Sequence, residues 1–342
     1  MTGQRANLIV VENGDYELYY DHWCASCLER LVFWGEEFSV RFFRAHNEDK
    51  QVWLDTVWCE GGAVIDRERK QLLFFGGESE VYSNLQCRTI YMDLLQYMWK
   101  GYSVKWAYNE IVDLAGHVGI SREKVIDPTT LEYSDDDLII AYTFACRDED
   151  VVEGICTVRM LDGNMLVLPM SDLAGGHDVL FCGERLVESL EKFPSRKPES
   201  INYSSGFPLH GMHIDFVSKE LGFWWAAHPL YIPERLQPFW PGWRIHLWEG
   251  NYMNHLQAAG GALIFPKMDT LKCIDIIEKV VCGECRNTSD IFTTIAAFGN
   301  NGYSVDEEPF ISEVQQCVFD DDYRKNEFRR VAKRYITEMG IG

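Results

Sequence analysis

The sequence predicts an α+β protein made by tandem duplication, in which a domain with a mainly antiparallel sheet and helices occurs twice before a helical C-terminal extension. The first observation is a strand, turn and strand pattern at residues 62–75 that recurs at residues 211–224. Each copy has Gly, two spacers, Ile-Asp, a Lys four residues later, a Leu two residues after it and then an aromatic pair. Agreement over two strand lengths favours a repeated domain.

The second observation is that other landmarks recur in the same order at nearly the same distance. Asp66 and Asp215 are 149 positions apart, whereas Trp99 and Trp240 are 141 apart, which indicates a deletion between these landmarks in the second copy. The other paired landmarks are Asn13-Gly14 with Asp162-Gly163 and Gly35-Glu36 with Gly183-Glu184. Asn-Gly and Asp-Gly pairs tolerate positive φ angles, so each predicts a type I′ hairpin turn.

Apolar periodicity predicts one element order for both copies: a hairpin, a helix, a second hairpin, a helix, a strand and a last helix. In the first copy, Glu36 and Glu37 begin a helix whose apolar residues include Phe42 and Phe43. Acidic residues suit the positive end of a helix dipole. Residues 90–99 have helical spacing, and alternating apolar residues at 102–106 predict a strand.

The domain boundaries follow from the two copies. We expect a first repeat domain over residues 1–150 that includes a connector at 121–150, a second over 151–264, and a helical extension over 265–342. Helices are predicted over 138–145, 274–281 and 291–298, and a last one follows the acidic triplet at 320–322. Its basic residues are predicted to line an exposed face: Arg324, Lys325, Arg329, Arg330, Lys333 and Arg334.

Composition indicates a folded chain with a substantial core. Of the 342 residues, 46% are hydrophobic and 13% aromatic, which rules out a wholly disordered chain. No apolar run approaches the roughly 18 residues of a membrane-spanning helix, and no apolar signal segment opens the sequence. These features predict a cytoplasmic protein without membrane association, in which the 11 cysteines are reduced.

The charge balance is strongly acidic. With 53 acidic and 32 basic residues, the formal net charge is −21. A surface of this charge repels nucleic acids and accelerates encounter with cationic partners. The predicted partner is therefore a basic protein, and nucleic-acid binding is disfavoured.

Two CxxC motifs raise a redox or zinc hypothesis. Cys24 and Cys27 follow an apolar strand, as in thioredoxin-type motifs, and Cys282 and Cys285 form a second pair that could complete a four-thiolate zinc site. The first motif lacks a preceding βαβ unit, and the second repeat has no cysteines at the matching positions. We expect ordinary thiols, with no metal or cofactor, and keep redox or zinc chemistry as an alternative.

A second alternative is an enzyme of hydrolase type with its site between the repeats. Asp66 and Asp215 are equivalent acids, and His213 precedes the second of them by two residues. An Asp at the end of a strand, before a tight turn, is also typical of a hairpin. We therefore predict structural roles for both aspartates and no catalytic residue.

The favoured hypothesis is a non-enzymatic acidic binding protein. Four tryptophans of the second repeat are candidate partner-binding residues if they are exposed: Trp224, Trp225, Trp240 and Trp243. Large aromatic side chains are common anchors of protein interfaces. In overall character, the chain is similar to bacterial immunity proteins, which neutralise toxins. The predicted mechanism is occlusion of a basic toxin domain, with acidic residues that speed association.

Overall fold

The computed structural model describes residues 4–341 apart from 47, 77–78, 134–136, 145, 148–149, 172–177, 205, 227–230, 232 and 284–320. The strands are β1 Ala6–Glu12, β2 Asp15–Asp21, β3 Gly61–Asp66, β4 Gln71–Phe75, β5 Ser103–Trp106, β6 Gly154–Arg159, β7 Met165–Met170, β8 His210–Asp215, β9 Glu220–Trp225 and β10 Arg244–Leu247. The helices are α1 Leu28–Phe33, α2 Glu36–Phe43, α3 Glu80–Ser83, α4 Leu85–Met98, α5 Ile111–His117, α6 Asp137–Phe144, α7 Leu186–Leu190, α8 Tyr252–Ala258, α9 Thr270–Cys282 and α10 Asp321–Glu338.

The duplication and the α+β fold class are confirmed. The first sheet has the strand order β2-β1-β3-β4-β5 and the second has β10-β9-β8-β6-β7. Each contains two antiparallel hairpins, and the parallel pairs β1 with β3 and β4 with β5 are repeated as β6 with β8 and β9 with β10. The sheets are therefore mixed. The segment between the two hairpins of each sheet brings the first strand of the second hairpin beside the first strand of the first hairpin, in parallel.

The landmarks of the two repeats have equivalent positions and contacts. The indole Nε1 of Trp99 donates to the Val32 carbonyl at 2.7 Å, and that of Trp240 donates to the Leu180 carbonyl at 2.7 Å. Three residues after each of these carbonyls stands a glycine, Gly35 in the first repeat and Gly183 in the second. Both have positive φ angles, of 90° and 61°. The repeats thus share a framework at the level of single hydrogen bonds.

The first hairpin turns differ between the repeats. Asn13 and Gly14 both have positive φ, as the predicted type I′ turn requires. In the second repeat only Gly163 has positive φ, and the amide of Met160 donates to the Asn164 carbonyl at 2.8 Å. This turn therefore has a three-residue loop that ends in a left-handed glycine, and the type I′ prediction for it is wrong.

The chain forms two compact units. One comprises residues 1–81, 87–126 and 269–342, and the other comprises residues 82–86 and 127–268. In the first, β-sheet residues such as Ile9 and Val64 pack with Leu114 of α5, and α9 packs against α1 and α10. In the second, Ile155 and Trp224 pack with Phe207 and Phe265. The extension helices α9 and α10 thus belong to the unit of the first repeat.

The remaining helix predictions have mixed outcomes. The helices predicted over 138–145 and 274–281 correspond to α6 and α9, while the one over 291–298 lies outside the described residues. On α10, Arg324 is buried rather than exposed, so the predicted basic face is interrupted. The helices in the described part of the chain are all too short or too polar to cross a membrane.

Candidate functional site

The two equivalent aspartates close equivalent hairpin turns. Oδ1 of Asp66 accepts from the backbone amides two and three residues later, at 3.0 and 2.7 Å. Oδ1 of Asp215 accepts from the amides at the same two positions, at 2.8 and 3.0 Å. Each carboxylate therefore supplies the acceptor that orders the turn between its two strands.

The second oxygen of each aspartate also has a partner. Oδ2 of Asp66 lies 2.8 Å from Nε2 of His117, and Oδ2 of Asp215 lies 3.3 Å from Nη1 of Arg159. Burial alone would raise the pKa of each carboxyl, but the backbone amides and these neighbours offset it, so both pKa values lie below the ordinary range. The predicted structural role thus accounts for the oxygens of both aspartates.

His213 belongs to a buried chain of hydrogen bonds in the second repeat. Oγ1 of Thr157 lies 2.8 Å from Nδ1 of His213 and 2.7 Å from Nε2 of His255. The indole of Trp224 donates to Nδ1 of His255 at 3.1 Å, which leaves the proton of the neutral His255 ring on Nε2. His255 then donates to Thr157, and the threonine hydroxyl donates to His213.

Burial keeps both histidines of this chain neutral. Desolvation lowers the pKa of His213 to about 4 and lowers that of His255 well below its ordinary value. At the equivalent strand positions of the first repeat stand Ile9 and Val64, which pair across β1 and β3 as Thr157 and His213 pair across β6 and β8. The second repeat thus has hydrogen-bonded polar side chains at core positions where the first repeat has apolar ones.

The four candidate tryptophans are all buried. Trp224, Trp225, Trp240 and Trp243 have exposed fractions of 1%, 6%, 0% and 5%. The Trp225 ring stacks on Phe223, and the Trp240 ring packs edge-on against Trp243. The exposure on which the anchor hypothesis depended is therefore not found. Trp243 also lines a groove, which is described below.

The CxxC cysteines that the structure describes are not joined in disulfides. Cys24 is buried and Cys27 half-buried in a 3₁₀ turn before α1, and Cys282 ends α9. Burial raises the pKa of the Cys282 thiol to about 11. Cys285 lies outside the described residues. Among those residues, no cluster of three or more His, Cys, Asp or Glu side chains has the arrangement of a metal site.

The second repeat carries a groove of about 880 Å³ that the sequence did not predict. It lies beside α7, the β6–β7 turn and the β8–β9 turn, and we call it the second-repeat groove. Its apolar lining is Ile140, Leu161, Phe193, Phe216 and Trp243. Its charged lining is Glu184, Arg185, Lys192 and Lys219. A groove of this volume can hold a small molecule or a few adjacent residues of a peptide.

The floor of the groove is ordered by aromatic and polar contacts. The ring of Phe216 packs edge-on against Trp243 at a centroid distance of 5.3 Å. The indole of Trp243 donates to Oε1 of Glu184 at 2.5 Å, and the ammonium of Lys219 lies 3.3 Å from the same oxygen. These hydrogen bonds, from Trp243 first and then Lys219, lower the pKa of the Glu184 carboxyl.

The first repeat has a smaller depression of about 570 Å³ at the matching position, which we call the first-repeat groove. Glu36 and Lys70 form the same ion pair there, at 3.6 Å, that Glu184 and Lys219 form in the second. Its lining is Glu36, Glu37, Val40, Arg41, Arg44, Ala45 and Arg67. Both repeats thus have a groove at the same position, but the side chains that line it differ between them.

Ion pairs line the first-repeat groove. The Arg44 guanidinium lies 2.6 Å from Glu12 and 2.8 Å from Glu17. Arg67 joins Glu12 to Glu36, with the Glu36 oxygen at 2.8 Å. A network of two guanidinium groups and three carboxylates therefore occupies this surface.

The second repeat lacks this network because a few of its positions carry other residues. Strand register places Met160 where the first repeat has Glu12, and Leu166 where it has Glu17. Phe216, the residue after the turn aspartate, stands in the place of Arg67. Lys192 follows Gly183 at the same distance in sequence as Arg44 follows Gly35, and each of these cations lines the groove of its own repeat. Exchanges of charged with apolar residues between the two copies are the sequence signal that could have pointed to this surface.

The arrangement provides an apolar floor, an internally paired carboxylate and a cationic rim, which suits binding. No family model, curated protein or solved structure matches the chain, so the two repeats themselves provide the internal comparison for its site.

Proposed function

We propose that the chain is a binding protein that acts without chemical turnover and neutralises a basic protein partner, in the manner of a bacterial immunity protein. The observation that carries this proposal is the second-repeat groove, which has an apolar lining at the place where the first repeat has a network of ion pairs. Leu161, on its lining, has an exposed fraction of 72%. An apolar residue so exposed beside an aromatic floor favours contact with a partner.

The charge of the chain supports a basic partner. The net charge of −21 creates a negative potential that draws cationic proteins towards the surface and increases their association rate. The proposed division of labour is that the acidic surface sets the rate of encounter, while apolar contacts in the second-repeat groove set the lifetime of the complex.

The structural roles of the rival catalytic residues also favour binding. Asp66 and Asp215 accept backbone hydrogen bonds that order hairpin turns. His213 lies inside the buried chain with Thr157. Each of these polar groups has a structural role in its repeat. A catalytic role is not needed to explain why these residues are present.

The experiment is a capture of partners by the immobilised full chain, followed by kinetics with the purified candidate. A basic protein should associate more slowly as salt is raised, and Leu161→Ser should shorten the lifetime of its complex. Asp215→Asn should leave this binding almost unchanged in protein that remains folded. Association that accelerates with salt, or loss of the biological activity in folded Asp66→Asn or Asp215→Asn, would contradict the proposal and favour the enzyme alternative.

A further inference from the structure

We infer that the second-repeat groove takes a peptide segment in which a large apolar side chain stands next to an aspartate or glutamate. The inference rests on the proposed function, since it specifies what the protein partner inserts. It is drawn from the comparison of the two grooves: the second repeat lacks carboxylates that the first repeat supplies from its own chain.

The apolar side chain has a prepared surface. Phe216 and Trp243 pack edge-on and are buried at 6% and 5% exposure, so they present a rigid floor. Ile140 is a buried part of the lining, and Leu161 stands on the exposed rim. Rigid aromatic surfaces lose little conformational entropy on binding, which makes them effective contacts for an inserted side chain.

The carboxylate has a prepared cation. In the first repeat, Arg44 is bound by the carboxylates of Glu12 and Glu17. Their counterparts Met160 and Leu166 carry no charge, and Lys192, in the place of Arg44, has no carboxylate partner among the residues that the structure describes. A carboxylate from a ligand would restore the pairing that the first repeat makes internally.

The anion already in the groove does not oppose this occupant. The Glu184 carboxylate accepts from Trp243 and is paired with Lys219, so its charge is compensated within the lining. Arg185 lies on the rim, where its Nε donates to the Cys182 carbonyl at 3.3 Å. The described lining has three cations and one anion, which is a local exception in an acidic chain.

A basic partner can carry such a segment. Net charge acts over the length of the electrostatic field and governs encounter, whereas the groove interacts with a few atoms at contact distance. The partner is therefore expected to be basic as a whole and to expose one apolar residue beside an acidic one.

The test uses short, terminally blocked peptides with the full-length chain. The probes share a central Phe in a Gly and Ser background and differ only in the next residue, which is Asp, Ser or Lys. Titration calorimetry at low salt should give the tightest binding for the Phe-Asp peptide, by about tenfold over Phe-Lys. A peptide with Ala in place of Phe, next to Asp, should bind weakly because the apolar contact is lost.

Two charge reversals locate the binding. Lys192→Glu should weaken the Phe-Asp peptide by about tenfold and reverse the preference towards Phe-Lys. Lys197→Glu is the matched control, because Lys197 is also exposed and lies outside the groove lining. It should change affinity by less than about twofold, as expected of a surface charge away from the contact. Thermal unfolding of both variants verifies that they are folded. If Lys192→Glu does not fold, Lys192→Gln takes its place in the test.

Several outcomes would overturn the inference. These are equal binding of the Asp and Lys peptides, an unchanged preference in folded Lys192→Glu or Lys192→Gln, or tight binding of a free aromatic acid with no contribution from the peptide. The peptide series does not require the partner. A failed capture of basic proteins with a preserved Asp preference would therefore refute the proposed function alone, and the converse result would refute the groove assignment alone.

Discussion

At the scale of single residues, two buried ionisable groups, His213 in the second repeat and Glu29 in the first, should affect stability with opposite pH dependences. His213 has a pKa of about 4 in the folded state, against 6.5 for an ordinary histidine. The folded state therefore stays neutral at a pH where the unfolded chain takes up a proton. Its contribution to stability is complete above pH 6.5 and is lost as the pH falls from 6.5 to 4.

Replacing this histidine should flatten that part of the profile. His213→Val introduces the residue of the equivalent position in the first repeat, so the fall in unfolding free energy between pH 6.5 and 4 should shrink by on the order of 3 kcal/mol. Urea unfolding across this pH range provides the measurement, with His246→Gln on the exposed surface as the control. A variant whose profile remains parallel to that of the unmodified chain would contradict the assignment.

Glu29 in α1 should act in the opposite direction. It is buried, and one of its carboxylate oxygens has no hydrogen-bond partner among the described residues. Desolvation raises its pKa to about 7 from 4.5, so the folded state retains a proton that the unfolded chain releases. The associated stability is present below pH 4.5 and is lost as the pH rises through 7.

Glu29→Gln removes this loss while it preserves the size of the side chain. Above pH 7 the variant should be more stable than the unmodified chain, by up to about 3 kcal/mol, and near pH 4 the two should be nearly equal. Denaturant unfolding at both pH values tests this, and Glu37→Gln at an exposed position of α2 is the control. A gain that is the same at both pH values would indicate a packing effect instead.

At the scale of elements, the glycine before each repeat's groove helix is a point of close approach. A Cβ at Gly183 would lie 2.2 Å from the Phe239 carbonyl oxygen, and one at Gly35 would lie 3.3 Å from the Met98 oxygen. Both residues also have positive φ. The second repeat is thus the more tightly closed at this turn.

Alanine substitutions should rank accordingly. Gly183→Ala should cost about 3 kcal/mol or more, because a steric clash adds to the backbone strain, and Gly35→Ala should cost less. Gly242→Ala is the control for strain alone, since its φ is 76° with open space around it, and about 1–2 kcal/mol is expected. Melting temperatures of the three variants give the order. A Gly242→Ala loss equal to that of Gly183→Ala would contradict the close approach.

The elements show what sequence patterns can predict. The bounds of α2 and of the β3–β4 hairpin follow from local signals: acidic residues at a helix start, and alternation around a turn aspartate. The parallel pairing of β1 with β3 does not follow, since it depends on where the intervening chain returns. The loop at Asp162 was also missed, because one inserted residue changes the turn type without changing the dipeptide.

The candidate site was harder to predict than the fold. Trp240 and Trp243 were identified from their size and number, but the same properties place large rings in a core. In the second repeat, Phe216 lines the groove in the place of Arg67, and Leu166 stands where the first repeat has Glu17. These differences are recognised only once the repeats are aligned by strand register. The search for aromatic clusters therefore identified Trp243 on the floor of the groove but did not predict Phe216 or the groove itself.

At the scale of the whole molecule, net charge and groove chemistry should affect different rate constants. Glu191 and Glu199 are exposed acids outside the groove lining, and both contribute to the charge of −21. Replacing both by Gln should lower the association rate with a basic partner roughly two- to fivefold at low salt and leave the dissociation rate unchanged. At high salt the difference should vanish, because screening removes the long-range field.

Leu166→Glu should have the opposite kinetic signature. It introduces the carboxylate that Glu17 supplies in the first repeat, where Arg44 lies 2.8 Å away, and so offers Lys192 a partner within the chain. The added negative charge should slightly accelerate association, while the occupied Lys192 should increase the dissociation rate about tenfold. Stopped-flow and surface-binding kinetics with the purified partner separate the two constants. If Leu166→Glu leaves the complex lifetime unchanged, contact is made elsewhere; if the Glu191 and Glu199 variant alters dissociation, those acids lie within the interface and steering is not their role.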